Sequence, residues 1–409
     1  MTRRTVVTGM GIVSSLGCDL DTVAESLRRG RSGIVVDPDR ERLGFASPLT
    51  GRLLGWKGCP SLDRKAQKSM HEPALFGTAA TLSALDHSGL DRERLRAPDA
   101  GVIFGNDSTT GASSAAVARV REAGYTGALG SGAIFQMMAS TVTMNVATLL
   151  GVRGANWTVA AACASSAHAV GQAAMLIGTG QQEIVICGGA QELGWEPMAA
   201  FDALKTFSSR RDAPEKASRP FDRHRDGLVP SGGAAALVLE SREHALSRRA
   251  RIWAEVAGYA FASNGIPHLS APTVEGPVYC MKRVLAQAKL RPSDIDYVKA
   301  HATSTPTGDL LEGRAILEVF GRDGPPVSST KSMTGHECWM SGVSELVYSI
   351  LMMRDGFLAP NINLDALDPE LAGLNVIAQT GSFGPRTVLS NSFGFGGTNA
   401  SIILMAGSE

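Results

Sequence analysis

Short apolar runs, most of them bounded by glycine, recur along the chain: Thr5 to Thr8, Ala100 to Phe104, Trp157 to Ala160, Glu183 to Cys187, Ala234 to Leu239, Tyr297 to Ala300, Val388 to Leu389 and Ala400 to Leu404. Their apolarity is continuous rather than alternating, the pattern of strands covered on both faces. Between them lie Ala-rich stretches of helical length, among them Glu72 to His87, Ser165 to Gly178 and Val278 to Ala288. The alternation predicts a layered α/β fold. The first run is expected to enter a turn at Gly9. Ser208 to Asp226, the most polar stretch, predicts an exposed loop. Ser241 to Arg251 predicts a helix between two halves, residues 1–250 and 251–409. No short-period repeat is visible, so any duplication is structural.

Composition narrows the class. At 44% hydrophobic and 19% charged residues, the 409-residue chain is globular and long enough for a large core. Lys plus Arg (39) equals Asp plus Glu (39), so no global field recruits nucleic acid or an anionic membrane. No apolar run reaches the roughly 18 residues of a membrane span. Six cysteines, at positions 18, 59, 163, 187, 280 and 338, form no C-x-x-C pair and no zinc-spaced cluster with histidine. Scattered thiols suit a reducing compartment, and the cytoplasm is expected.

Four segments carry candidate chemistry. In Trp157-Thr158-Val159-Ala160-Ala161-Ala162-Cys163-Ala164-Ser165-Ser166-Ala167-His168 a strand runs through small residues into a helix, with one thiol at the turn. A helix N-terminus favours thiolate, whereas an ordinary thiol with pKa about 8.5 is a few per cent ionised at neutral pH. A buried structural cysteine is the plainer alternative. His301 follows the strand Tyr297 to Ala300 and precedes a polar turn, where α/β enzymes place active groups. A histidine satisfied by a nearby carbonyl fits equally well. Lys331 and His336 flank a Met-Thr-Gly turn in Ser329 to Glu337, suited to acid–base or electrostatic work. In Ser390 to Asn399 three glycines stand beside Phe393 and Phe395, either aiming backbone N–H groups at a ligand or closing a β-turn.

Together and in this order, these segments resemble the β-ketoacyl-[acyl carrier protein] synthases of the type I/II condensing-enzyme family, most closely the type I enzymes of bacterial fatty acid synthesis. The resemblance runs from T-G-M-G-I-V-S-S-L-G (Thr8 to Gly17) through E-K-A-S-R-P-F-D (Glu215 to Asp222) and the segment near Glu255 to Tyr259 to G-F-G-G-T-N. It implies the thiolase fold, an α/β architecture of five αβαβα layers built from two similar halves and assembled as a homodimer. It implies Cys163 as the acyl-accepting nucleophile and His301 and His336 as the pair that holds the malonyl thioester. It gives Lys331 an electrostatic or structural role. Phe395 becomes a gate whose N–H joins that of Cys163 in an oxyanion hole, with Phe393 beside it. Asp309, Glu312 and Glu345, with Thr303 and Thr305, become the shell that fixes the Lys and His geometry. Arg64, Lys65 and Lys68 become a docking patch for acidic acyl carrier protein, though a solvated helix face reads the same way.

The implied reaction is a decarboxylating Claisen condensation giving 3-oxoacyl-acyl carrier protein. Two aimed N–H groups can each contribute roughly 3 kcal/mol to an oxyanion. Neutral imidazoles can hold the enolate, so no metal or organic cofactor is expected. His336 sets aside the Cys–His–Asn initiating synthases, and the presence of Cys163 sets aside an inactive chain-length factor. Two departures from the family pattern stand out: Ala302 in place of glycine, and Glu337-Cys338-Trp339-Met340-Ser341 in place of small residues. Bulky Trp339 and Met340 are expected to alter packing near the acyl pocket. They keep open a synthase of a dedicated polyene or aryl polyene pathway. Cys338 is expected to be packing only.

Overall fold

The computed structural model describes residues 3–53 and 55–407. Its strands are β1 (Thr5–Val13), β2 (Ile34–Val36), β3 (Leu49–Gly51), β4 (Ala100–Gly105), β5 (Asn156–Val159), β6 (Ile184–Gln191), β7 (Gly233–Ser241), β8 (Ala254–Ser263), β9 (Tyr297–Lys299), β10 (Val327–Ser328), β11 (Thr387–Gly394) and β12 (Thr398–Ala406). β2 and β3 form a separate hairpin, and the other ten run in the order β5-β4-β6-β7-β1-β8-β12-β11-β9-β10. Read outward from the middle, β1-β7-β6-β4-β5 and β8-β12-β11-β9-β10 pair in the same senses: antiparallel twice, then parallel twice. One topology thus occurs twice, although no repeated words betray it. The two sets meet through only two residue pairs, Val6↔Glu255 and Val7↔Ala254.

Helices complete the layers. Glu72–Ser88 covers β1 and β7 on one outer face, and Glu275–Ala288 covers β8 and β12 on the other. Between the two sets lie the central helices Ser165–Gly178 and Ser341–Asp355, which pack on each other and on strands of both sets. Burial on every side explains why Gly342 through Met352 of the second central helix are buried without a polar face. This α-β-α-β-α stacking is the thiolase fold. The central helices touch near their N-terminal ends, where a Cβ on Gly342 would stand 2.5 Å from the Ala167 nitrogen. Any larger residue would push them apart.

Some sequence expectations need correction. Gly9 and Gly11 lie inside β1 rather than in a turn. Their missing side chains admit the helix Glu72–Ser88, since added Cβ atoms would fall 2.3 Å from Ala84 O and 2.0 Å from Ala80 O. Ser208 to Asp226 is not uniformly exposed, because Ala217 through Asp222 and Arg225 are buried. Its charges are internally matched: Arg219 Nε donates to Asp222 (3.0 Å) and Arg225 to Asp368 (2.8 Å). The helix expected at Ser241 to Arg251 is only Arg242–Ser247. Among the described residues, no helix is long and apolar enough to cross a membrane.

Candidate active site

β5 ends one residue short of a string of alanines, and the chain then makes a single 3₁₀ turn, Ala162–Ala164, before the first central helix begins at Ser165. Ala162 sits at φ +48°, a conformation that L-residues adopt reluctantly. Hydrogen bonds hold it there: Asp107 accepts from Ala162 N (2.8 Å), and the Ser165 hydroxyl accepts from Ala161 N (2.8 Å) while donating to Ala162 O (2.6 Å). The result lifts Cys163 into the interior. The N–H groups of Cys163 and Phe395 both point at its sulfur. Gly394 permits that approach, since a Cβ there would lie 3.0 Å from Cys163 N.

His336 enters from the other half. Its backbone is pinned between Val229 O (2.6 Å) and Ser231 N (2.8 Å), and its Nε2 lies 3.0 Å from Cys163 Sγ. Ser341 Oγ, at the start of the second central helix, is 3.2 Å from Nδ1. His301, two residues after the buried end of β9, faces His336 edge-on with ring centroids 5.3 Å apart. The sulfur and the ligating nitrogens of these three side chains all lie within 4.8 Å of one another. Residues 173 positions apart along the chain therefore share one cavity. Among the described residues, this is the one cluster compact enough to grip a metal ion, but the neighbouring Lys331 ammonium opposes a dication.

Electrostatics differ from the sequence expectation at Cys163. Burial pushes its thiol up to about 12, against the pull of Lys331 and the two N–H groups. Desolvation outweighs the helix terminus, so the resting group is a thiol. Both imidazoles are held well below their ordinary pKa, first by burial and then by Lys331, and are neutral at physiological pH.

The expected acids divide their work. Glu345 accepts from Lys331 Nζ. Glu312 accepts from the backbone N–H of His301 (2.8 Å) and Ala302 (2.6 Å), fixing the strand end; burial raises its carboxyl to about 7. Asp309 touches neither the lysine nor a histidine. It accepts from Phe221 N (3.0 Å) and Thr305 N (3.2 Å), so it shapes the turn rather than the Lys or His geometry.

A cavity of about 470 Å³ opens onto Cys163, His301 and His336, with Thr303, Thr305, Phe393 and Phe395 on its walls. Phe395 is 38% exposed at this mouth and stacks on Phe201, at 6.0 Å between centroids. Phe201 also meets Phe207 (6.2 Å) and Trp339 (6.4 Å), and Trp339 is buried in the same apolar cluster as Cys163. Cys338 is buried as well and donates to His336 O (3.5 Å). Arg64, Lys65 and Lys68 are exposed on and just after the short helix Arg64–Gln67, outside the cavity lining.

Sequence reasoning did not single out Asp107, Ser341, Phe201 or Lys299. Only Lys299 left a signal, a charge inside an otherwise apolar strand. Its ammonium is fully buried and donates to Glu345 Oε1 (2.8 Å), the oxygen that also takes Lys331.

Family models for the β-ketoacyl synthase N-terminal and C-terminal domains match residues 2–245 and 253–365. The chain belongs to the β-ketoacyl synthase family. It is 42% identical to 3-oxoacyl-[acyl-carrier-protein] synthase 1 of Haemophilus influenzae over 407 residues, spanning 98% of each chain. The Escherichia coli K12 protein of the same name is 41% identical over 411 residues, again spanning 98% of each. A β-ketoacyl synthase from Burkholderia phymatum superposes with a TM-score of 0.94 at 35% identity, over 99% of this chain and 100% of that one. A type II PKS ketosynthase solved in complex with its acyl-carrier protein and bound to the hexaketide gives a TM-score of 0.91 at 29% identity, over 100% of both chains. Membership of the β-ketoacyl synthase family agrees with the doubled topology and with a cysteine and two histidines at its centre.

Proposed function

We propose that the chain extends acyl chains by decarboxylating Claisen condensation, giving 3-oxoacyl-acyl carrier protein in fatty acid elongation. The observation that carries this reading is the convergence of Cys163 Sγ, His301 and His336 within 4.8 Å at the floor of an open cavity. In the first half-reaction Cys163 sulfur attacks an acyl thioester. The new carbon–sulfur bond replaces the one to the carrier, and the thiol proton leaves with the carrier thiol. The N–H groups of Cys163 and Phe395 hold the oxyanion. In the second, the carboxylate of a malonyl thioester departs as carbon dioxide, and its bonding pair forms an enolate. In this reading Ser341 donates to His336 Nδ1, which puts that ring's hydrogen on Nε2, and His301 takes the same part beside it, so each imidazole offers an N–H to the enolate oxygen. The carbanion then attacks the acyl-Cys163 carbonyl and releases the sulfur as a thiolate, which takes a proton from water to restore the thiol. Every electron comes from the bond to carbon dioxide, so the reaction calls for no cofactor.

Acidic acyl carrier protein is the proposed partner, meeting exposed Arg64, Lys65 and Lys68. A second copy of the chain is the proposed neighbour at β5, where Trp157 is 40% exposed at the sheet's edge and Phe135 and Met138 are exposed nearby in the chain. The division of the chain near residue 250 and a cytoplasmic location belong to the same reading; all six cysteines are thiols, in keeping with a reducing compartment. The test offers purified protein a panel of acyl-carrier proteins with malonyl-carrier protein and follows products by mass. Failure of every acyl donor to gain two carbons would refute the proposal.

One observation favours a second reading, a synthase of a dedicated polyene pathway. Phe201 and Phe395 stack on the cavity wall near the nucleophile, and Phe207 and Trp339 back Phe201 from behind, an aromatic cluster suited to flat, conjugated chains. Efficient extension of polyunsaturated acyl groups with poor use of saturated ones in the same panel would select it.

A further inference from the structure

Lys299 ends β9 with its side chain fully buried, beside the strand end that presents His301. Its ammonium donates to Ala300 O (3.2 Å) and to Glu345 Oε1 (2.8 Å). Lys331 donates to that same oxygen, and Glu345 Oε2 has no protein partner. Two buried cations thus share one carboxylate oxygen. A single Lys–Glu pair would be neutral; this trio carries one net positive charge. Desolvating a charge is costly, so an extra buried ammonium in a stable fold calls for a compensating anion. The ionisable groups facing Lys299 are Glu345 from the second central helix, Lys331 from the turn after β10 and Glu312 from the helix Pro306–Phe320, with His301 two residues on. Glu312 is already occupied by two backbone N–H groups and Asn391. Glu337 also feels Lys331, but burial raises its carboxyl to about 7 and it is taken up by Ser344 and Tyr348; the other anions are transient: the Cys163 thiolate, the malonyl carboxylate and the enolate.

We propose that Lys299 is a positioning residue for the condensation, holding half of Glu345 so that Lys331 keeps its positive field over Cys163, His301 and His336. The inference deepens the function proposed above and rests on it for its catalytic meaning. Burial and Lys331 together keep both imidazoles neutral and therefore able to donate, with Lys299 adding to the effect at His301. The same field lowers the cost of ionising Cys163, where Lys331 is the largest influence opposing desolvation. Without Lys299, Glu345 closes entirely onto Lys331 and the field collapses. Both shifts then have one sign: the thiol and the imidazoles each move to higher pKa.

The test measures alkylation of Cys163 by iodoacetamide against pH, which needs no carrier protein and no condensation. Lys299→Met is expected to slow alkylation at pH 7 about tenfold, a tenfold change corresponding to one pKa unit. In malonyl-carrier protein decarboxylation the acid limb moves upward in the same variant. Lys299→Arg, which keeps the charge, restores both, whereas a purely packing role would not follow charge. Should Lys299→Met fail to fold, Lys299→Leu, equally uncharged and unable to donate to Glu345, carries the same expectation. Glu345→Gln supplies the opposite sign, speeding alkylation at pH 7. A folded uncharged variant with the parental alkylation rate and acid limb, or a Glu345→Gln rate that falls, overturns the proposal. Parental protein that alkylates normally but condenses nothing refutes the proposed function while leaving the electrostatic role of Lys299 measurable.

Discussion

The two halves share a topology and place their chemistry at the same point, the N-terminal end of a central helix, yet they build it from opposite materials. In the N-terminal half Cys163 stands among alanines and serines, and no ion pair holds it. In the C-terminal half the equivalent region is dense with buried ionisable groups: Lys299, Lys331, Glu312, Glu337 and Glu345. Their edges differ too. β5 is partly exposed, whereas β10 is buried and bridged at Val327↔Val376. The nucleophile needs room and two aimed N–H groups, which small residues supply. The histidines need a maintained neutral state, which burial supplies first and the nearby lysine charge reinforces. Duplication thus provided two equivalent positions, and side-chain chemistry divided the labour between them.

Removing the nucleophile tests that division most severely. Cys163→Ala is expected to abolish the acyl-enzyme and lower condensation by on the order of 10³-fold or more, while malonyl-carrier protein still loses carbon dioxide. Mass spectrometry of the protein and carbon dioxide release, measured separately, check it; loss of both would mean the halves do not act independently. The reciprocal change, His336→Ala, is expected to cut decarboxylation by about 10²–10⁴-fold yet leave Cys163 open to acylation. Normal carbon dioxide release would contradict the assignment. Gly342→Ala attacks the contact that brings the halves together. Overpacking against Ala167 is expected to cost about 1–3 kcal/mol, read from denaturant unfolding, with condensation falling more than either half-reaction.

The smallest expected effect concerns the charge-dense half alone. Glu337 is buried, accepts from Ser344 (2.6 Å) and Tyr348 (2.7 Å), and has its carboxyl pushed up to about 7 by desolvation. A folded-state pKa above the unfolded one means the native state binds the proton more tightly. Stability is then greatest below the unfolded pKa and falls as pH rises toward 7. Glu337→Gln should lose that slope, gaining about 1 kcal/mol over the parent at pH 8 relative to pH 5, as thermal melting at the two pH values will report. An equal slope in both proteins would place the sensitivity elsewhere.

Much of this was legible before folding. Cys163 and His301 each follow an apolar strand, and the first central helix runs Ser165–Gly178 as its Ala-rich composition suggests. What escaped notice depends on contacts made across the chain. β8 was missed because its polar and small residues interrupt the apolar run; it is half-buried, unlike the continuous strands. Ser208 to Asp226 read as solvated because pairing of Arg219 and Arg225 with distant aspartates cannot be seen locally. The helix-terminus argument for a thiolate at Cys163 failed because sequence shows the dipole but not the depth of burial that opposes it. The sharing of Glu345 by two lysines joins β9, a turn and a helix, and no spacing rule links them.

The seam between β1 and β8 is only two residue pairs long, so sheet pairing contributes little to joining one half to the other. Cohesion falls instead to the two central helices, each of which touches strands of both sets. Neither half can expose its inner face without stripping cover from the other, so global opening should be a single cooperative event. In native-state hydrogen exchange, amides of Ser341–Asp355 should be among the last to exchange, and those of β8 near the seam should exchange no sooner than their neighbours.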